Sequence, residues 1–147
     1  MISDKEVVIR LLLAVLFSGL IGLEREVAGR AAGLRTHILV CVGSALIMLT
    51  AIHLTEIYRG IAPIDPGRVA AQVVSGIGFL GAGTIIQIHD SVRGLTTAAS
   101  VWAAAGLGLA IGSGFYVGAV ATTLIVLTVL FLLSRFEQTI VRSKRKE

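Results

Sequence analysis

Residues 22–37 read Gly-Leu-Glu-Arg-Glu-Val-Ala-Gly-Arg-Ala-Ala-Gly-Leu-Arg-Thr-His, a short polar hairpin wedged between two long apolar runs. Upstream, Val7 to Leu23 carries one charge, Arg10; downstream, His37 to Ile57 carries only Glu56. Charges held between membrane-length runs are costly to keep near hydrocarbon, so by default they mark function. A second such hairpin reads Val92-Arg93-Gly94-Leu95-Thr96-Thr97-Ala98-Ala99 and opens another apolar run.

The rest of the chain agrees with lipid as its solvent. Of 147 residues, 55% are apolar and 15% charged, and the mean hydropathy is +0.90, outside the usual soluble range. A spanning helix needs roughly 17–25 mostly apolar residues. Five stretches approach that length: Val7–Leu23, His37–Ile57, Val69–Ile88, Leu95–Gly112 and Phe115–Leu133. The fold class expected is therefore an all-α polytopic membrane protein with five transmembrane helices. Ser3-Asp4-Lys5-Glu6 fits a capping box, so a retained helix starts there in place of a cleavable signal. Asp65-Pro66 announces the third span as an N-cap followed by proline at the first helical position, and Thr96 is placed to cap the fourth. That fourth span, short and rich in Ala and Gly, is the one on which the threading turns.

Orientation follows from Lys and Arg near the helix ends. Five spans gather Arg25, Arg30, Arg35, Arg93, Arg135, Arg142, Lys144, Arg145 and Lys146 on one side, and leave Lys5, Arg10, Arg59 and Arg68 on the other. The N-terminus is thus expected outside and the C-terminus in the cytoplasm, with a transmembrane domain over 1–135 and a basic cytoplasmic tail over 136–147. Both arginine hairpins then share the cytoplasmic face. The net charge of +4 points to headgroups and orientation, not to nucleic acid, because no basic face is interleaved with aromatics.

Small residues recur at three- or four-residue steps: Ala71, Ser75, Gly78 and Ala82; Ala104, Gly108 and Gly112. Such spacing lets membrane helices approach closely. Gly76, Gly78, Gly81, Gly83, Gly108 and Gly112 are the packing candidates, within one chain or across a homodimer. A faint echo between Ser18-Gly19-Leu20 with its hairpin and Ser75-Gly76-Ile77 with its own hints at a parallel repeat.

Three groups of residues carry the chemistry. On the inner side stand Glu24, Arg25, Glu26, Arg35, Thr36, Arg93, Thr96 and Thr97, with His89 and Asp90 beside them. A carboxylate and a guanidinium there can pair bidentately and fix how the hairpins dock; alternatively the threonines, exposed amides and Arg93 hold an anionic headgroup, phosphate or partner. On the outer side Asp65, Arg68 and Gln72 form a smaller polar cluster, with Arg68 within reach of Glu56. Within the spans there is no mid-depth Asp or Glu, only Ser18, Ser44, His53, Gln72, Ser75, Thr84, Ser100 and Thr122, whereas proton pumps and cation carriers usually hold buried carboxylates. Cys41 is alone, so neither a disulfide nor a metal spacing is present. HExxH, GxSxG, P-loop and Rossmann patterns are missing. Nothing in the sequence orients Ser44 with His37 or His53 as a Ser–His pair. The expectation is a protein that is not an enzyme and takes no cofactor or metal.

Six stretches together resemble the MgtC/SapB family of bacterial membrane proteins. They are Gly22-Leu-Glu-Arg-Glu26, Ala32-Gly-Leu-Arg-Thr-His37, Gly43-Ser-Ala45, Arg68-Val-Ala-Ala-Gln72, Ser75-Gly-Ile-Gly-Phe-Leu-Gly-Ala-Gly83 and Val92-Arg-Gly-Leu-Thr-Thr-Ala-Ala99. The likeness runs from about Leu12 to Tyr116, too much for chance agreement. It implies a bacterial inner-membrane protein with five spans and a cytoplasmic C-terminus. It also implies links to survival in low magnesium, acid stress and virulence inside macrophages. The family carries an old association with Mg2+ transport and a better-supported one with regulation of membrane partners, including the ATP synthase or a transporter. Many members add a soluble C-terminal domain resembling the ACT fold; as the sequence stops soon after Arg142, it is expected to be either a short form lacking that domain or a piece cut before it.

Overall fold

The structure, a computed structural model, describes residues 2–133; the basic tail and the domain boundary at 135 lie outside them. The described chain runs α1 (Asp4–Val27), α2 (Leu34–Ile57), α3 (Pro66–Ala82), β1 (Ile86–Ile88), β2 (Ser91–Arg93), α4 (Leu95–Ser113) and α5 (Tyr116–Thr128), the last continuing as a π-helical turn, Val129–Leu133. Three helices, α1, α2 and α4, are long and apolar enough to cross a membrane, and Tyr116–Leu132 is a shorter apolar helix. The 17 residues of α3 rise roughly 25 Å at 1.5 Å each, a little less than the hydrocarbon core.

Local chemistry explains most of the boundaries. Ser3 Oγ accepts from the Glu6 amide at 3.3 Å, and Asp65 Oδ1 from the Gly67 amide at 2.8 Å with Pro66 following, as the caps read from the sequence require. Two expectations are corrected. The third helix stops at Ala82, not Ile88, because Gly81-Ala82-Gly83 weakens it and the β-branched run after Thr84 pairs instead. Ile86–Ile88 and Ser91–Arg93 form an antiparallel hairpin in the register Ile86↔Arg93 and Ile88↔Ser91, turning through His89 and Asp90. Nor does Thr96 cap α4. The N-cap is Gly94 at φ +92°, with no side-chain capping bond, and a Cβ there would drive into the Thr84 carbonyl.

The helix expected to be marginal is the central one. α4 packs against α1, α2, α3 and α5, most extensively against α2, and half of its most apolar window is buried. Its glycines are the reason. At Gly108 a Cβ would collide with the Cys41 carbonyl, and at Gly112 it would lie 2.6 Å from the Ala45 carbonyl, so the α2 and α4 backbones touch. The core at this seam is Ala14, Ile21, Cys41, Ala45, Leu107 and Ile111. In lipid, contact of this kind, not expulsion from water, holds helices together. The other packing candidates divide. Gly81 meets Ala98 at 3.7 Å, and Gly83 meets only its own helix. Gly76 and Gly78 have nothing within 4 Å, so they do not pack within the chain.

The contacts also set the helix directions. Gly22 faces Leu34 and His37 while Gly19 faces Ile38, so α1 and α2 are antiparallel. His37 meets Ser100, Cys41 meets Gly108 and Ala45 meets Gly112, so α2 and α4 run parallel. Residues 28–33 and the β-hairpin therefore emerge at the same end of the bundle.

Candidate functional site at the hairpin end

Of the eight inner-side candidates, four are bound into the bundle: Glu24, Arg25, Glu26 and Thr97. Arg25 is 2% exposed and the largest fully buried side chain among the described residues. Its Nη2 donates to Glu24 Oε1 at 2.7 Å, and its Nε donates to Glu24 Oε2. The bidentate pair expected from the sequence thus exists, but between neighbours on α1; among the described residues no ion pair joins the two hairpins. Glu26 Oε2 accepts the Leu34 amide at 2.7 Å, which ties the end of α1 to the start of α2 across the loop. Thr97 is buried in the first turn of α4, and its carbonyl accepts from Ser100 Oγ at 2.8 Å.

Coupling between the hairpins comes from His37, which the sequence offered only as a partner for Ser44. His37 is fully buried. Its Nδ1 lies 2.8 Å from the Gly33 carbonyl and its Nε2 lies 3.0 Å from Ser100 Oγ. A carbonyl only accepts, so Nδ1 carries a proton; the one Ser100 hydroxyl proton serves either Nε2 of the neutral ring or the Thr97 carbonyl, not both at once. The pair expected to lack orientation, Ser44 with His37, does not form; Ser100 is the partner. The signal was a register between two parallel helices 63 residues apart in the chain, which no single-helix pattern reveals.

The remaining candidates, Arg35, Thr36, Arg93 and Thr96, are exposed. Arg35 and Arg93 make no ion pair among the described residues, and neither does Arg30. Around them the hairpin shows Ile86, Ile88 and Val92, with Leu95 and Phe79 nearby in sequence, all exposed. Free guanidinium groups beside unburied apolar side chains make this end amphipathic.

The profile of the MgtC family matches residues 11–139. The chain belongs to the MgtC family. Among curated relatives of this MgtC-family chain are "Putative magnesium transporter YhiD" of Escherichia coli K12, 47% identical over 76% of the chain and 53% of that protein, and "Protein MgtC" of Salmonella typhimurium, 45% identical over 90% and 54%. "Protein SapB" of Bacillus subtilis is 43% identical over 84% and 55%. The chain spans about half the length of these relatives. No solved structure matches it. Family and span-length apolar helices together make it a membrane protein.

The opposite end holds a polar cluster different from the one expected. Asp65 is spent as a cap, Arg68 and Gln72 are exposed, and Glu56 lies 3.9 Å from Arg59 instead of Arg68. The connected group is Glu6, Arg10 and Tyr116. Arg10 Nη1 donates to the Gly112 carbonyl at 2.7 Å, closing the C-terminus of α4, while Nη2 donates to Glu6 Oε1 at 2.8 Å. Tyr116 donates to the same Glu6 oxygen at 2.9 Å, and the Arg10 guanidinium sits 5.8 Å from the Tyr116 ring centre. A cation at a helix C-terminus is favourable, so this cluster locks α1, α4 and α5. Among the described residues no group of three His, Cys, Asp or Glu side chains is arranged for a metal.

Proposed function

We propose that the chain is a multi-pass protein of the bacterial inner membrane, with five spans and its hairpin end in the cytoplasm, that acts without catalysis by binding a membrane partner or lipid there. The carrying observation is the division of the arginines. Arg25 is consumed by structure, whereas Arg30, Arg35 and Arg93 are exposed and, among the described residues, make no ion pair at one end of a tightly knit bundle. Groups that stabilise nothing in the chain itself are available to recognise something else. The name of the Escherichia coli relative supports a reading near magnesium, and the family resemblance adds acid stress and virulence; an ATP synthase or a transporter is the class of partner it suggests. Homodimerisation through the open Gly78 of α3 belongs to the same reading.

The test is complementation of a strain lacking its own copy, grown under magnesium limitation. Arg35→Ala and Arg93→Ala should abolish growth rescue while insertion and expression stay near normal. Full rescue by both variants, or loss of expression in both, overturns the proposal. A second reading, a carrier or channel for Mg2+ or another small ion, is favoured by the printed name of the Escherichia coli relative. Liposomes containing purified protein decide it: flux no greater than that of empty vesicles removes it.

A further inference from the structure

Between α2 and α3 the bundle is split by a crevice of about 520 Å3, walled by Leu39, Gly43, Ile47, Val69, Gly76 and Leu80. It exists because Gly43 and Gly76 have nothing within 4 Å of where a Cβ would stand. Leu80 also lines a second cavity of about 420 Å3, which reaches Ala32, Thr36, Phe79, Gly83 and Thr84 at the hairpin end. The two cavities therefore adjoin at Leu80 and make a two-part slot, apolar inside, whose second part lies where α2 begins. Arg35, next to Thr36, is exposed there, and among the described residues neither it nor Arg30 or Arg93 at the same end makes an ion pair. Of the two described acids at this end outside the Glu24–Arg25 pair, Glu26 is held by the Leu34 amide and Asp90 sits in the β-turn.

We infer that this slot seats one anionic phospholipid of the cytoplasmic leaflet, an acyl chain between α2 and α3 and the phosphate at Arg35 and Thr36. Charge supports this occupant, since a guanidinium at headgroup level favours a net-anionic headgroup over a zwitterionic one. The slot runs along α2 from Thr36 to Ile47, roughly 16 Å, and along α3 from Val69 to Ala82, roughly 20 Å, room in which an acyl chain can lie. The inference rests on the reading that the hairpin end faces the cytoplasm and binds there, and names lipid as the ligand.

Native mass spectrometry of the full chain in mild detergent, loaded with dioleoyl phosphatidylglycerol or dioleoyl phosphatidylcholine, tests it. The expected result is one retained phosphatidylglycerol, bound about fivefold more tightly than phosphatidylcholine, as one basic residue at an anionic headgroup supplies. Gly43→Leu and Gly76→Leu, which have room within the chain, should each cut retention of both lipids with helicity unchanged. Arg35→Gln should erase the preference but keep occupancy. Equal binding of the two lipids overturns the inference, as does full retention in both leucine variants. So does a photocrosslinker at position 76 that captures a protein, a second copy included, in native membranes. If the lipids bind alike while Arg93→Ala still abolishes rescue, the crevice proposal falls and the hairpin reading stands. If the preference holds while Arg93→Ala rescues fully, the reverse is true.

Discussion

At the scale of single residues, the buried Arg25 is the most consequential side chain. Breaking a buried pair by removing one partner leaves an uncompensated charge, typically costing about 3–5 kcal/mol. Glu24→Ala should therefore destabilise the protein by roughly that amount in denaturant titration from mixed micelles, and Glu24→Met with Arg25→Met should recover most of it. A second prediction separates the glycines. Gly108→Val should abolish folding, because its Cβ would enter the Cys41 carbonyl, whereas Gly78→Val should fold normally, having open space; expression and thermal stability in detergent report both. His37→Phe removes the ring's bonds to the Gly33 carbonyl and to Ser100, but Ser100 keeps the Thr97 carbonyl and the Gly33 carbonyl keeps the residue 37 amide, so thermal stability in detergent should fall by only about 0.5–1.5 kcal/mol. None of this distinguished Arg25 from Arg35 beforehand. Both sit beside apolar runs, and only the depth of α1, which continues to Val27, buries the former.

At the scale of elements, what was readable depended on whether the cause was local. The starts of α1 and α3 were legible because Ser3 and Asp65 cap through neighbours two or three residues away. The hairpin at 86–93 was hidden inside an apolar run that also suits a helix, since short apolar β-branched segments satisfy both periods. The rank of α4 was misread for a related reason. Its Ala and Gly content weakens a hydropathy argument, yet these same small residues let it sit at the centre against α2. The bundle-locking role of Arg10 was equally invisible, because Gly112 and Tyr116 lie more than 100 residues away. A prediction follows for the hairpin junction: Gly94→Ala forces a side chain to a positive φ and into Thr84. It should cost more than the roughly 1 kcal/mol of an ordinary left-handed alanine. Protease sensitivity of residues 84–94 in the folded protein should rise accordingly.

At the scale of the whole molecule, both hairpins lie at one end because α2 and α4 run parallel, joined at His37 and Ser100 and closed along Gly108 and Gly112. The seam fixes their shared end whatever surrounds the bundle; that this end faces the cytoplasm is the proposal, argued from the excess of Lys and Arg in the sequence there. The most direct test places single cysteines at Arg30 and Asp90 in a variant carrying Cys41→Ala and probes them with a membrane-impermeant maleimide. Both positions should stay unlabelled in intact spheroplasts and react in inverted vesicles. Labelling of the two from opposite compartments would contradict the account.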